Sequence, residues 1–175
     1  TLLLENKTDW IVDGRGSTFK SVDITGDGSP VDNPSTYGRG RSQWRIIFAT
    51  NMIIKNMTII GVHPNPGTFV TLYEFQHGLH IEPAKNVEIT NVNVKNPYGD
   101  CFYFAHSGTR DVNLHDSTCI GPGRQGIALI AGKRITFKNL DIRNTARSSI
   151  DMEPTQDTSN IDGVLVENNT FGPGT

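Results

Sequence analysis

Asp151 and Glu153, in the stretch IDMEP, stand two positions apart. On an extended strand that spacing sets both carboxylates on one face, roughly 7 Å apart between Cα atoms at about 3.3 Å of rise per residue. Carboxyl separations of about 6.5–9.5 Å suit inverting hydrolysis of a glycosidic bond. Upstream, QHGLHIEP carries His77 and His80, and YGDC carries Asp100. An imidazole held by a carboxylate is a general base, so Asp151, Glu153, His80 and Asp100 form the candidate catalytic set. Each also has a plainer reading: solvated carboxylates pairing with Arg124 or Arg147 on a neighbouring strand, and histidines bonded to loop carbonyls. The two histidines have only Glu82 nearby as a third ligand, so no metal site and no cofactor is expected. DITGDGSPVDNP (23–34) echoes a calcium loop, but Pro34 stands where a bidentate Glu is needed, which makes it an insertion loop shaped by Gly, Asp and Pro.

The elements that would position these groups emerge from an internal repeat. NMIIKNMTI (51–59), NVEITNVNV (86–94), DVNLHDSTC (111–119), RITFKNLDI (134–142) and GVLVENNTF (163–171) share one alternation of apolar and polar positions. A second short strand recurs as WRII (44–47), LHIE (79–82), FYFA (102–105), IALI (127–130) and IDME (150–153). A repeat of 20-odd residues with loop insertions is the signature of a solenoid, whose insertions leave the stack undisturbed. Because side chains alternate faces along a strand, the inward columns follow. Trp44, Leu79, Phe102, Ile127 and Ile150 form one, and Ile46, Ile81, Phe104, Leu129 and Met152 the next. Ile59, Val94, Cys119, Ile142 and Phe171 form a third, in which Cys119 reads as a core thiol. The same alternation turns Arg45, His80, Tyr103, Ala128 and Asp151 outward in one row, with Ile47, Glu82, Ala105, Ile130 and Glu153 in the next. The turns entering these strands add Glu74, Gln76, His77, Tyr98, Asp100, Arg124, Gln125 and Arg147. No flat row of threonines is evident on any outer face, which speaks against an ice-binding surface.

Composition agrees with a β-rich protein. The 175 residues include 18 glycines and no run of strong helix formers, a length that fits one domain, 1–175. Sixteen basic against 18 acidic side chains, with no basic cluster, argue against nucleic-acid binding. No apolar run is long enough for a helical membrane span. Cys101 and Cys119 are too few for a disulfide scaffold and lack zinc spacing. The chain starts at Thr1 and stops just after a strand, which leads us to expect a piece of a longer chain, with further rungs, caps or partner subunits beyond it.

Asn56, Asn91, Asp116, Asn139 and Asn168 recur between the two later strands of each repeat. Asparagine accepts the left-handed conformation at a tight bend, and stacked amides can bond one to the next. With this ladder, and with TDWIVDGRGSTF (8–19) in place of an IDGxGxxF first rung, the chain resembles the right-handed parallel β-helices of the pectin lyase-like superfamily. The resemblance covers nearly all of it except insertions at 20–43 and 61–76. It implies an all-β fold of about six rungs and a ligand groove along the outer face of the first strands. There Arg45, His77, Glu82, Tyr103, Arg124, Gln125 and Arg147 would bind substrate: guanidinium for uronates, a ring for stacking, amide and carboxylate for hydroxyls. YGDC and ARSS match neither the paired-Asp nor the RIK motif of polygalacturonase-like hydrolases. Clustered calcium-binding Asp, as in pectate lyases, and the DPHD motif of the epimerases are also missing, so no catalytic residue carries over.

The expectation is a carbohydrate-active module, lyase or glycoside hydrolase, partnered by an extracellular or cell-surface polysaccharide. The alternative is a non-catalytic β-helix of a phage tail spike or surface adhesin at the virion or cell surface, in which case it belongs to a larger assembly such as a homotrimer. Sequons at Asn6, Asn56 and Asn168 weigh little, because two are ladder positions expected to be buried.

Overall fold

The computed structural model describes residues 1–21, 42–154 and 160–173. The 23–34 loop, and with it most of the 20–43 insertion, lies outside them. Among the described residues fifteen strands form two parallel sheets. The first contains β1 (Leu2–Glu5), β3 (Trp44–Ile47), β5 (Leu79–Ile81), β7 (Phe102–Phe104), β10 (Ile127–Leu129) and β13 (Ile150–Met152), stacked in that order. The second contains β2 (Thr8–Lys20), β4 (Ala49–Ile60), β6 (Ala84–Lys95), β8 (Arg110–His115), β9 (Thr118–Ile120), β11 (Gly132–Lys138), β12 (Asp141–Arg143), β14 (Ile161–Glu167) and β15 (Thr170–Gly172). Successive repeats pair strand on strand in parallel, which makes the described chain a parallel β-helix. A single 3-10 turn, Thr71–Tyr73, interrupts the strands in the 61–76 segment. Among the described residues no helix is long and apolar enough to cross a membrane.

The register matches the columns read from the sequence. Trp44 pairs with Leu79, Leu79 with Phe102, Phe102 with Ile127 and Ile127 with Ile150. Ile59, Val94, Cys119, Ile142 and Phe171 are likewise in line. The middle of the stack is buried, from Trp44 through Ile142, because β-branched and aromatic residues at every second position fill the space between sheets. At the two ends these positions open to solvent: Leu2, Trp10 and Phe19 at one, Met152, Val166 and Phe171 at the other.

Three sequence expectations change. Cys119 is no free thiol: it is joined to Cys101, with Cα atoms 5.8 Å apart. The two lie 18 residues apart in sequence, but the coil brings the turn before β7 over the third-strand column, where both are fully buried. The ladder residues do take left-handed backbone, with φ between 49° and 58°, and Asn91 donates to Asn56 and Asn139 to Asp116, each at 2.9 Å. Their side chains nevertheless face outward: Asn91, Asp116, Asn139 and Asn168 are exposed, so burial does not shield the sequon at Asn168. Finally, the register lines up Thr18, Thr58, Asn93, Thr118, Asp141 and Thr170 on the outer face, a hydroxyl-rich row that the sequence reading missed.

Candidate functional site

The outer face of the first sheet brings most of the expected residues together, in two charged groups bridged by rings. In the first, Arg45 donates to Glu82 Oε1 at 2.6 Å, while His80 Nδ1 lies 3.2 Å from the Ser42 hydroxyl and Nε2 lies 3.3 Å from the same Glu82 oxygen. The in-register pairing of Arg45 with His80 sets this geometry. Burial pushes His80 below its ordinary value, outweighing the opposing pull of Glu82. Burial would raise Glu82, but the contacts with His80 and Arg45 prevail and take it to about 2. The pair is therefore a carboxylate beside a neutral imidazole near neutral pH.

In the second group Arg124 gathers three carboxylates. It donates to Asp100 at 3.2 Å and to Glu153 at 3.0 Å, and its Nε lies 3.6 Å from Glu74. Burial would lower this guanidinium, but Asp100, Glu153 and Glu74 outweigh it and raise the group. Asp100, fully buried, also accepts the backbone N–H of Gln125 at 2.8 Å, and the Gln125 amide donates to Asp151 at 2.8 Å. Asp151 and Glu153 thus each have one oxygen engaged, by Gln125 and Arg124.

Tyr103 joins the two groups. His77 stacks on it, 4.2 Å between centroids and 11° from parallel, and His80 meets it edge-on at 4.7 Å. Burial, together with the charges of Glu82 and Asp100, holds the phenol well above its ordinary value, so it stays a neutral ring. His77 Nδ1 faces both the Asp100 backbone N–H at 3.1 Å and the Asp100 carboxylate at 3.0 Å. It cannot accept from one and donate to the other in one tautomer, so the expected carboxylate-oriented base competes with a backbone bond.

The face differs from the expected open groove. His80 and Ala128 are 2% and 0% exposed, and Asp100 is fully covered. Accessibility increases toward the last strand, where Asp151 and Glu153 are half-buried. Arg147 is separate from both groups, its guanidinium 3.9 Å above the Phe69 ring. Sequence reading also passed over Ser42 as a partner of His80. A second corner column, Asp9, Asn51, Asn86, Asp111 and Arg134, was missed too. In it Asn51 donates to Asp9, Asn86 to Asn51, and Arg134 to both Asp111 oxygens. Among the described residues no group of three metal-ligating side chains is placed to hold an ion.

No known protein family matches the chain, and no curated protein matches it either. Among solved structures, a trypsin-treated variant of QnrB1, a plasmid-mediated fluoroquinolone resistance protein, is 11% identical over 95% of this chain and 92% of that one. The TM-score of 0.16 is too low for the likeness to bear on fold or function.

Proposed function

We propose that the chain is a carbohydrate-active β-helix of the pectin lyase-like kind, acting on or binding an extracellular or cell-surface polysaccharide along the outer face of its first sheet. One observation supports this above the others. Arg45 Nε, His80 Nε2, Arg124 Nε and Gln125 Oε1 are buried polar atoms without a hydrogen-bond partner among the described residues, and all four belong to this face. Buried polar atoms in native proteins nearly always have partners. A face that leaves Arg45 Nε and Gln125 Oε1 unpaired, and holds His80 Nε2 and Arg124 Nε only through carboxylate contacts with Glu82 and Glu74 outside hydrogen-bond geometry, suits a ligand rich in hydroxyl and carboxylate oxygens. Asp151 and Glu153, at the accessible end, are the candidate acid and base. The buried disulfide fits an oxidising, extracellular setting.

Reducing ends and the ultraviolet absorbance of unsaturated uronates, followed together on neutral and uronate-containing polysaccharides, test the reading. Ends with absorbance indicate elimination, and ends without it hydrolysis. A non-catalytic β-helix within a tail spike, adhesin or other assembly is the second reading, favoured by the apolar side chains exposed at both ends of the stack. The mass of the folded protein in solution separates a monomeric enzyme from an assembled spike.

A further inference from the structure

On the outer face of the third strands, away from the site above, two rows run parallel to the stack. The first is the hydroxyl and amide row, Thr18, Thr58, Asn93, Thr118, Asp141 and Thr170, in which Thr118 donates to Asn93 at 2.8 Å. The second, two residues further along each strand, is Lys20, Ile60, Lys95, Ile120 and Arg143. Cation and isoleucine alternate from rung to rung. With strands about 4.8 Å apart, the cations recur every ~9.6 Å, roughly the advance of two sugar units in an extended chain.

This is more than a surface pattern, because the 61–76 segment builds a wall beside the second row. Pro66 packs against Gly121, and Gly67 against Asn144, so closely that a Cβ at either glycine would clash. A depression of about 540 Å³ opens at the near end of the wall, lined by Lys20, Ser21, Ile60, Gly61, Val62, His63 and Asn96. Lys55 and Lys138 each pair with a carboxylate, whereas Lys20 and Lys95, like Lys85 and Lys133 on another row, have no ion-pair partner among the described residues; only Lys20 and Lys95 stand beside the wall. Arg143 is already bonded to Asp141 at 2.6 Å, so the uncompensated charge lies at the end with the depression.

We infer that this walled track binds an acidic polysaccharide carrying an anionic group on every second sugar, laid along the stack axis. Lys20 and Lys95 meet successive anions, Ile60 packs under the C–H face of the sugar between them, and Thr58 and Asn93 bond its hydroxyls. Three cations are too few and too widely spaced for the phosphate density of a nucleic acid. The inference concerns a different face from the proposed active site, so Asp151→Asn does not touch it and its failure leaves that reading standing.

Affinity electrophoresis of the folded protein provides the test, through gels containing hyaluronan, chondroitin sulfate or neutral dextran, with single-stranded DNA as competitor. Retardation is expected in one or both anionic gels and not in dextran, and their order tells carboxylate from sulfate recognition. Lys20→Gln with Lys95→Gln should weaken it about tenfold, the worth of two exposed ion pairs. Both lysines are exposed, and a circular-dichroism melt confirms that the variant folds. Lys85→Gln with Lys133→Gln, which removes the same charge from a different row, should leave binding within about twofold. No retardation in either anionic gel, an equal loss in the Lys85/Lys133 variant, or displacement by DNA as readily as by free hyaluronan would each overturn the inference.

Discussion

The buried His80 and the half-buried Glu82 beside it make the protein acid-sensitive, and the direction can be worked out residue by residue. Glu82 sits at about 2 in the folded protein against an ordinary 4.5, so its contribution is complete above about pH 4.5 and is lost as pH falls toward 2. His80 is held below its ordinary 6.5, so the unfolded chain takes up that proton first and stability begins to fall below about pH 6.5. Both effects have the same sign. Melting temperature should be flat between about pH 7 and the ordinary Tyr value of 10.0, above which the raised Tyr103 lowers it, and should decline in acid. His80→Gln should remove the part of the decline that starts near pH 6.5 and shrink the part below 4.5, since His80 helps hold Glu82 low. Arg124 makes a sharper test of the second group. Asp100 is fully buried and Arg124 is its cationic partner, so Arg124→Met strands a buried charge at a cost of about 3–5 kcal/mol. Denaturant titration should show most of that loss recovered when Asp100→Asn is added, since an Asn oxygen still accepts from the Gln125 backbone.

At the scale of elements, the corners rather than the strands carry the special backbone. Asn91 combines φ 51° with an amide bond to Asn56. Asn91→Gly keeps the conformation and loses the bond, while Asn91→Ala loses both. The alanine variant should therefore be the less stable by about 1 kcal/mol, the steric cost of left-handed backbone for a residue with a Cβ. The first ladder was legible because four of its five members are asparagine. The second was not, since Asp9, Asn51, Asn86, Asp111 and Arg134 share no side-chain type. Their common feature is position: each directly precedes the first apolar residue of a repeat, with φ between 52° and 60°. The strand columns were legible because a period of two is a property of the backbone itself. The threonine row escaped notice because Asn93 and Asp141 interrupt it, and only the register makes them equivalent to their neighbours.

For the molecule as a whole, the disulfide is the feature least readable from sequence, because solenoid coiling and not local spacing brings Cys101 over Cys119. Closing a loop of that size restricts the unfolded chain by about 3 kcal/mol, so Cys101→Ala with Cys119→Ala should melt roughly 10 °C lower, as should the wild type under reductant. Of the candidate site, the alternation of side chains identified which residues share the outer face. It did not reveal that Arg45, His80 and Ala128 would be covered, because burial there depends on how the turns fold back over the sheet. The carboxylates Asp151 and Glu153 remain at the open end, so they decide the central claim. Product release from the polysaccharide panel, or binding where no product forms, should be compared directly between the wild type and Asp151→Asn. The account predicts a response to at least one polysaccharide that falls by about a hundredfold or more in product formation when an acid–base group is lost, or by several-fold in binding. A wild type inert toward every polysaccharide, or an Asp151→Asn protein equal to it on an active substrate, would contradict it.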